Sequence, residues 1–237
     1  SSGVAVANSI SGIGVDSFNF SSDFGSRGQL NSVVQMDAIS KFPEDPTARF
    51  LGENNTVSVM GQEVGHRWLA YLEFSDHNRQ RSQALLGRDQ AHWSFFFNSD
   101  ASVMEGNRIQ DLGGGSFRTV GAVEHYSLLD QYAMGLVREI DVPPMFYVEN
   151  PTNASGNQDP TSAPRIGVTF SGTRRDVLIN DIIDVLGRRQ PTPDATPRVY
   201  RQAFLYVVGN GRIAAPAATK KIDRIRTAWE SFFARAT

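Results

Sequence analysis

Met60-Gly61-Gln62-Glu63-Val64-Gly65-His66-Arg67-Trp68 is the stretch from which the rest of the chain is read. Val59, Met60, Glu63, Val64, His66 and Trp68 recur at helical spacing, and Asn55 or Thr56 offers an N-cap just upstream. The spacing predicts one buried helix over 56–72. Residues four apart on a helix share a face, so Gln62, Glu63 and His66 are expected to look into a common cleft from beside an apolar stripe. Polar groups on so apolar a helix need partners.

Around this helix the pattern is mixed. Residues 30–40 alternate like a strand, and the two prolines of 41–55 mark a loop. A loop leading into a short helix is expected over 75–90. The aromatic run of 91–97 (AHWSFFF) is expected as a buried strand. Gly113-Gly114-Gly115 sits between strand-like residues and predicts a hairpin within 98–120. A short helix over 127–137 is capped by Ser127 and closed near Gly135. Beyond the polar loop 150–164, two strands (RIGVTF and RRDVLI) and a short helix from Asn180 or Asp181 are expected. A further strand at 199–208 follows, then a helix from about Ala217 with Ile222, Ile225, Trp229 and Phe232 on one stripe. The fold class is α+β, with a core lobe at 1–150 and a C-terminal α+β lobe at 151–237 on the same core.

Composition narrows the function classes. The 237 residues carry 23 Lys+Arg against 25 Asp+Glu, a net charge of -2, which does not suit a nucleic-acid binder. No apolar run approaches the ~20 residues of a membrane span. There is no cysteine, so disulfides, thiolate nucleophiles and Cys zinc sites are excluded, and a metal would have to be held by His, carboxylate, amide or carbonyl groups. Gly113-Gly114-Gly115 lacks the Lys-Ser/Thr of a phosphate loop, and no Gly-x-Ser-x-Gly elbow is present. Asp100, Glu105, Asn107 and Asp111 could offer oxygen ligands to calcium, but their spacing is not that of an EF-hand, and a polar hairpin tip is the favoured reading. The opening Ser1-Ser2-Gly3 reads as the start of a processed or excised segment.

Gln62-Glu63-x-x-His66 resembles the His-Glu-x-x-His helix of the zincin metallopeptidases, in which two imidazoles on one helical face hold zinc and the Glu between them takes a proton from water. The chain departs at the first metal position, where Gln62 stands for His. Another side chain supplies the missing nitrogen, or Gln62 coordinates weakly, or the site is no longer a zinc hydrolase. His92 is a candidate extra ligand; the alternative is a core imidazole bonded to a backbone carbonyl. Asp130, inside the apolar helix of 127–137 with Tyr132 and Met134, resembles the downstream zincin element that brings a third ligand; the alternative is a cap or an ion pair with Arg. Together, 61–68, 92–97 and 127–136 resemble a group of secreted bacterial proteins with zincin-like features. The resemblance implies a twisted sheet with a central active-site helix, a smaller C-terminal lobe and an extracytoplasmic location. It further implies zinc held by His66, His92 and Asp130 with Gln62 as a weak participant, Glu63 as general base, and a peptide or protein substrate. A non-catalytic binding or assembly module at the cell exterior is the competing expectation, and Gln62 favours it.

Overall fold

A computed structural model describes residues 1–237. The elements are mixed helix and antiparallel sheet, the α+β class expected. Strands β1 (Ser2–Ala5) and β2 (Ser32–Gln35) pair antiparallel, Gly3 opposite Val34. Helix α1 spans Thr56–Gly65. Strands β3 (Asn107–Gly113) and β4 (Ser116–Ala122) form the hairpin that the three glycines predict. Helix α2 (Leu128–Met134) leads to β5 (Met145–Thr152) and β6 (Thr169–Val177). Helices α3 (Ile179–Leu186) and α4 (Pro216–Ala236) complete the chain. The main sheet has the order β5-β6-β4-β3, antiparallel throughout. No helix is long and apolar enough to cross a membrane.

Local chemistry fixes both short helices. At α1, the Asn55 side chain accepts from the Ser58 amide at 2.9 Å and Ser58 Oγ accepts from the Asn55 amide at 3.0 Å, a reciprocal cap. At α2, Ser127 and Asp130 make the same exchange, and Gly135 closes the helix in the left-handed conformation at φ 80°. Helix α1 ends at Gly65, seven residues short of the expected 72. After it the amides of Arg67 and Trp68 turn back to the Val64 and Gly65 carbonyls in tight turns. It is also more deeply set than an amphipathic helix: all ten residues are buried. Gly61 permits this, because a Cβ there would stand 3.1 Å from the ring of Phe232 on α4.

Thirty buried residues form the main core, with α1, α2 and the α4 stripe of Ile225, Trp229 and Phe232 among them; Ile222 is only half-buried. A second cluster of eight, including Phe95, Phe96, Phe117, Phe146 and Phe170, fills one face of the sheet. The run expected as a strand at 91–97 joins the two. Its amides reach separate segments: Trp93 to Met104, Ser94 to Leu85, Phe95 to Pro160. It is a buried connector, because no single neighbouring strand lies alongside it. The segment 199–208 is likewise not a strand. Val199, Leu205 and Val207 are largely exposed, and the segment has no ladder partner, without which its strand propensity has nothing to pair with. Over 75–90, a two-residue ladder (Phe74–Ser75 with Arg81–Ser82) and a 3-10 turn replace the expected helix. The two strands expected after residue 164 are one, β6. The division expected at 150/151 falls within β5, whose pairing with β6 carries one sheet across it.

Gly3 couples β1 to the site helix. A Cβ at that position would overlap the Glu63 carbonyl oxygen, which is backbone and cannot rotate away. Gly3→Ala should therefore lower stability by about 1–3 kcal/mol, the usual range for overpacking. A reduced urea midpoint with an unchanged slope would record this.

Candidate functional site

Four of the expected residues converge where the last turn of α1 meets the 88–92 turn. Gln62 and Glu63 leave the helix 7% and 6% exposed, and His66 caps its C-terminus, its amide bonded to the Gln62 carbonyl at 3.1 Å. His92, 5% exposed, lies across from them. The Gln62 amide nitrogen is 3.0 Å from His92 Nε2, and the imidazoles of His66 and His92 stand edge to face with ring centres 4.9 Å apart.

The protonation pattern follows from the partners. His92 Nδ1 is 2.8 Å from the Arg88 carbonyl oxygen, which only accepts, so Nδ1 carries the proton. Nε2 of the same ring faces Arg88 Nη2 at 3.2 Å, and a guanidinium only donates, so Nε2 presents a lone pair. Gln62 must then turn its NH₂ toward His92. His66 repeats the first half of this arrangement, with Nδ1 3.3 Å from the Leu69 carbonyl. Burial lowers the His66 pKa, a charge on the neighbouring His92 would lower it further, and Glu63 opposes the shift.

Two further residues complete the cluster. Arg88 places Nε 3.1 Å from Glu105 Oε2 and Nη2 2.6 Å from Glu105 Oε1, a bidentate fork that raises the Arg88 pKa. Glu105 is buried, and the charge of Glu63 also acts on Arg88. Arg88 had no sequence signal beyond its place one turn before His92. Glu105 stood out only as a calcium-type oxygen donor, whereas here it binds Arg88. The other oxygens of that set are also engaged: Asp100 with His125 and Arg108, which hold its carboxyl at about pKa 2, Asn107 with the Arg165 amide, and Asp111 with Arg174 and the Gly113 amide.

Asp130 is placed differently from the other expected ligands. Its Oδ1 accepts from the Trp93 indole at 2.9 Å, and its Oδ2 accepts from the Ser127 amide and hydroxyl. Burial raises its pKa, against these hydrogen bonds. Asp130 is thus the carboxylate of the α2 cap, and it anchors the residue next to His92 instead of meeting either imidazole. No three His, Asp or Glu side chains converge on one point.

The donor chemistry of His66 and His92 fits a zinc ion. Imidazoles that hold a metal commonly donate the other ring N–H to a backbone carbonyl or a carboxylate, and both rings do so here. Two rings sharing one ion through bonds of ~2.1 Å at a tetrahedral angle have centres roughly 5 Å apart, which the observed separation matches. Gln62 adds a neutral amide, a poorer ligand for this metal.

A pH effect follows from His66. Its folded pKa lies below the ordinary 6.5, so between these two values the unfolded chain binds more protons, and stability falls as pH falls through that window. Metal-free protein should lose stability from about pH 6.5 downward, and His66→Asn should flatten that slope. Urea midpoints at a series of pH values, read for both proteins, check it. No protein-family model, curated protein or solved structure matches this chain.

Proposed function

We propose that the chain is a zincin-like metalloprotein related to secreted bacterial metallopeptidases, with weak or no peptidase activity. One observation carries the reading: His66 and His92 face each other at 4.9 Å, each with its Nδ1 on a backbone carbonyl, beside a buried Glu on the same helical turn. In this reading His66 and His92 hold zinc through Nε2, and Gln62 replaces the first imidazole. Bound zinc supplies Lewis-acid polarisation of a scissile carbonyl and lowers the pKa of water. Glu63 accepts the proton at its carboxylate, and the buried walls of α1 and the 92–97 connector limit access of bulk water. The zincin-like arrangement of the fold belongs to the same proposal, supported by an all-buried helix and a four-stranded antiparallel sheet. Peptide or protein substrates and an extracytoplasmic location come with it.

A second reading, a non-catalytic binding module, is favoured by a separate observation. The amide of Gln62 and the guanidinium of Arg88 both donate to His92 Nε2, so its lone pair is satisfied without an ion.

Zinc content and peptide cleavage should be measured for the protein as it stands, for Gln62→His, and for Gln62→His with Glu63→Gln. We expect low zinc occupancy in the first and about ten- to hundredfold tighter binding in the second, judged from the size of ligand-environment effects. Any cleavage gained should fall by roughly 10²–10⁴-fold when Glu63 is neutralised. Strong Glu63-dependent cleavage by the unmodified protein would show that Gln62 does not weaken the site. Unchanged zinc content in Gln62→His would favour the binding module.

A further inference from the structure

The chain from Val199 to Ile213 turns apolar side chains to solvent in an ordered way. Tyr200, Gln202 and Phe204 point inward: Tyr200 packs on Trp68 and Phe233, Gln202 accepts from the Trp229 indole, and Phe204 lies against the main core. The odd positions between and after them point outward, so Val199, Leu205 and Val207 are 78%, 85% and 87% exposed. A turn closed by the Arg212 amide on the Gly209 carbonyl at 2.9 Å then brings back Ile213, which is 94% exposed. Apolar residues scattered over a surface need no explanation, but several gathered on one loop do. The same stretch is basic. From 195 to 222 there are five Lys and Arg residues and no carboxylate, and of the five only Lys221 has an acidic partner, Glu44. We propose that this loop seats the protein on an anionic bilayer surface, with Leu205, Val207 and Ile213 entering the acyl boundary and Arg201 and Arg212 meeting phosphate headgroups. The proposal goes beyond the reading of His66 and His92 and does not draw on it.

Three observations fit this partner. The first is the placing of charge. Arg201 stands on the same outward row as Val199 and Leu205, and Arg212 immediately precedes Ile213, so cations flank the apolar groups as they do in interfacial anchors. The second is charge asymmetry. The whole chain carries a net charge of -2, so the acid excess lies outside this basic stretch. An anionic surface therefore attracts the loop and repels the remainder, which orients the molecule. The third is the backbone. No N–H or C=O of 199–208 is hydrogen-bonded within the protein, and such groups cannot enter hydrocarbon. Only the side chains go in, while the backbone stays among wet headgroups, and the inward contacts on α4 hold the loop in place without rearrangement. A protein strand added alongside 199–208 would satisfy the backbone but leave the outward apolar row in water. A bilayer covers that row and meets the arginines at once.

Co-sedimentation with vesicles tests this, comparing an equal mixture of phosphatidylglycerol and phosphatidylcholine with phosphatidylcholine alone. The protein should pellet with the mixed vesicles, far less with the neutral ones, and high salt should release most of it. Arg201→Gln with Arg212→Gln should weaken binding to the mixed vesicles at least about tenfold, since each basic residue near an anionic surface is worth roughly fivefold. Leu205→Ser with Val207→Ser should weaken it by about tenfold or more, from the apolar area withheld from the bilayer. All four side chains are exposed, and thermal unfolding verifies that each variant folds. Leu205→Trp reports insertion: its emission should be quenched by lipids brominated on their acyl chains, whereas Trp68, Trp93 and Trp229, all buried, should be unaffected in the unmodified protein. Absence of pelleting, or pelleting unchanged in either double variant, overturns the proposal. Pelleting with an unquenched Leu205→Trp overturns insertion and leaves adsorption by charge alone. Self-association that Leu205→Ser with Val207→Ser abolishes, without vesicle binding, assigns the loop to a second copy of the chain and overturns the proposal.

Discussion

Helix α1 has no solvent face, and that constraint organises the molecule. Its ten residues are all buried, yet they include Ser58, Gln62 and Glu63. A half-exposed helix would turn these side chains to water. Here each needs a partner inside the protein, because an unpaired polar group in the interior costs ~1–3 kcal/mol and an unpaired charge more. Ser58 is absorbed by the N-cap, together with Asn54 and Asn55. Gln62 is absorbed by His92. Glu63 remains, without a dedicated ion pair, and its charge lies in the field of Arg88. The cluster at the helix end is a consequence of burying the helix all round.

Burying α1 requires the rest of the chain to approach it closely. Strand β1 abuts the Glu63 carbonyl through Gly3, α4 meets Gly61 through Phe232, and the Tyr126 hydroxyl donates to the Gly61 carbonyl at 2.6 Å. The connector 92–97 is fixed by a second buried carboxylate. Asp130 ties α2 to Trp93, and the next residue back along the chain is His92. Position of the imidazole is therefore inherited from two helix caps, one beginning α1 and one beginning α2. Asp130 influences His92 through the chain, not through a shared ligand sphere.

These relations explain how much could be read from the residues alone. The i, i+1, i+4 placement of Gln62, Glu63 and His66 is local, and so are the caps at Asn55 and Ser127 and the glycine hairpin at 113–115; all were legible. His92 was legible only as a candidate extra ligand, and the structure brings its ring to that of His66. The Arg88–Glu105 pair was not legible, because the partners stand 17 positions apart across irregular backbone and no periodicity relates them. The aromatic run misled because hydrophobic density reports burial, not pairing: Trp93 and Phe97 enter one core while Phe95 and Phe96 enter the other. The apolar segment 199–208 misled for the complementary reason, since strand propensity is only realised beside a neighbouring strand.

Charge balance gives the cluster its logic. Two buried carboxylates, Glu63 and Glu105, face two imidazoles held neutral by their tautomers and, for His66, by burial. Such a set is not stable without a cation, because desolvated carboxylates must be paired. The chain supplies one in Arg88, whose fork to Glu105 satisfies the geometry but leaves one negative charge across the pair of carboxylates. Gln62 adds to this balance, since its amide donates an N–H to His92 and so sides with the guanidinium. Gln62 and Arg88 act in the same direction: both place hydrogen-bond donors on the Nε2 lone pair of His92. Gln62 and Arg88 are thus two parts of one arrangement, in which the protein's own cation pairs with the buried carboxylate of Glu105.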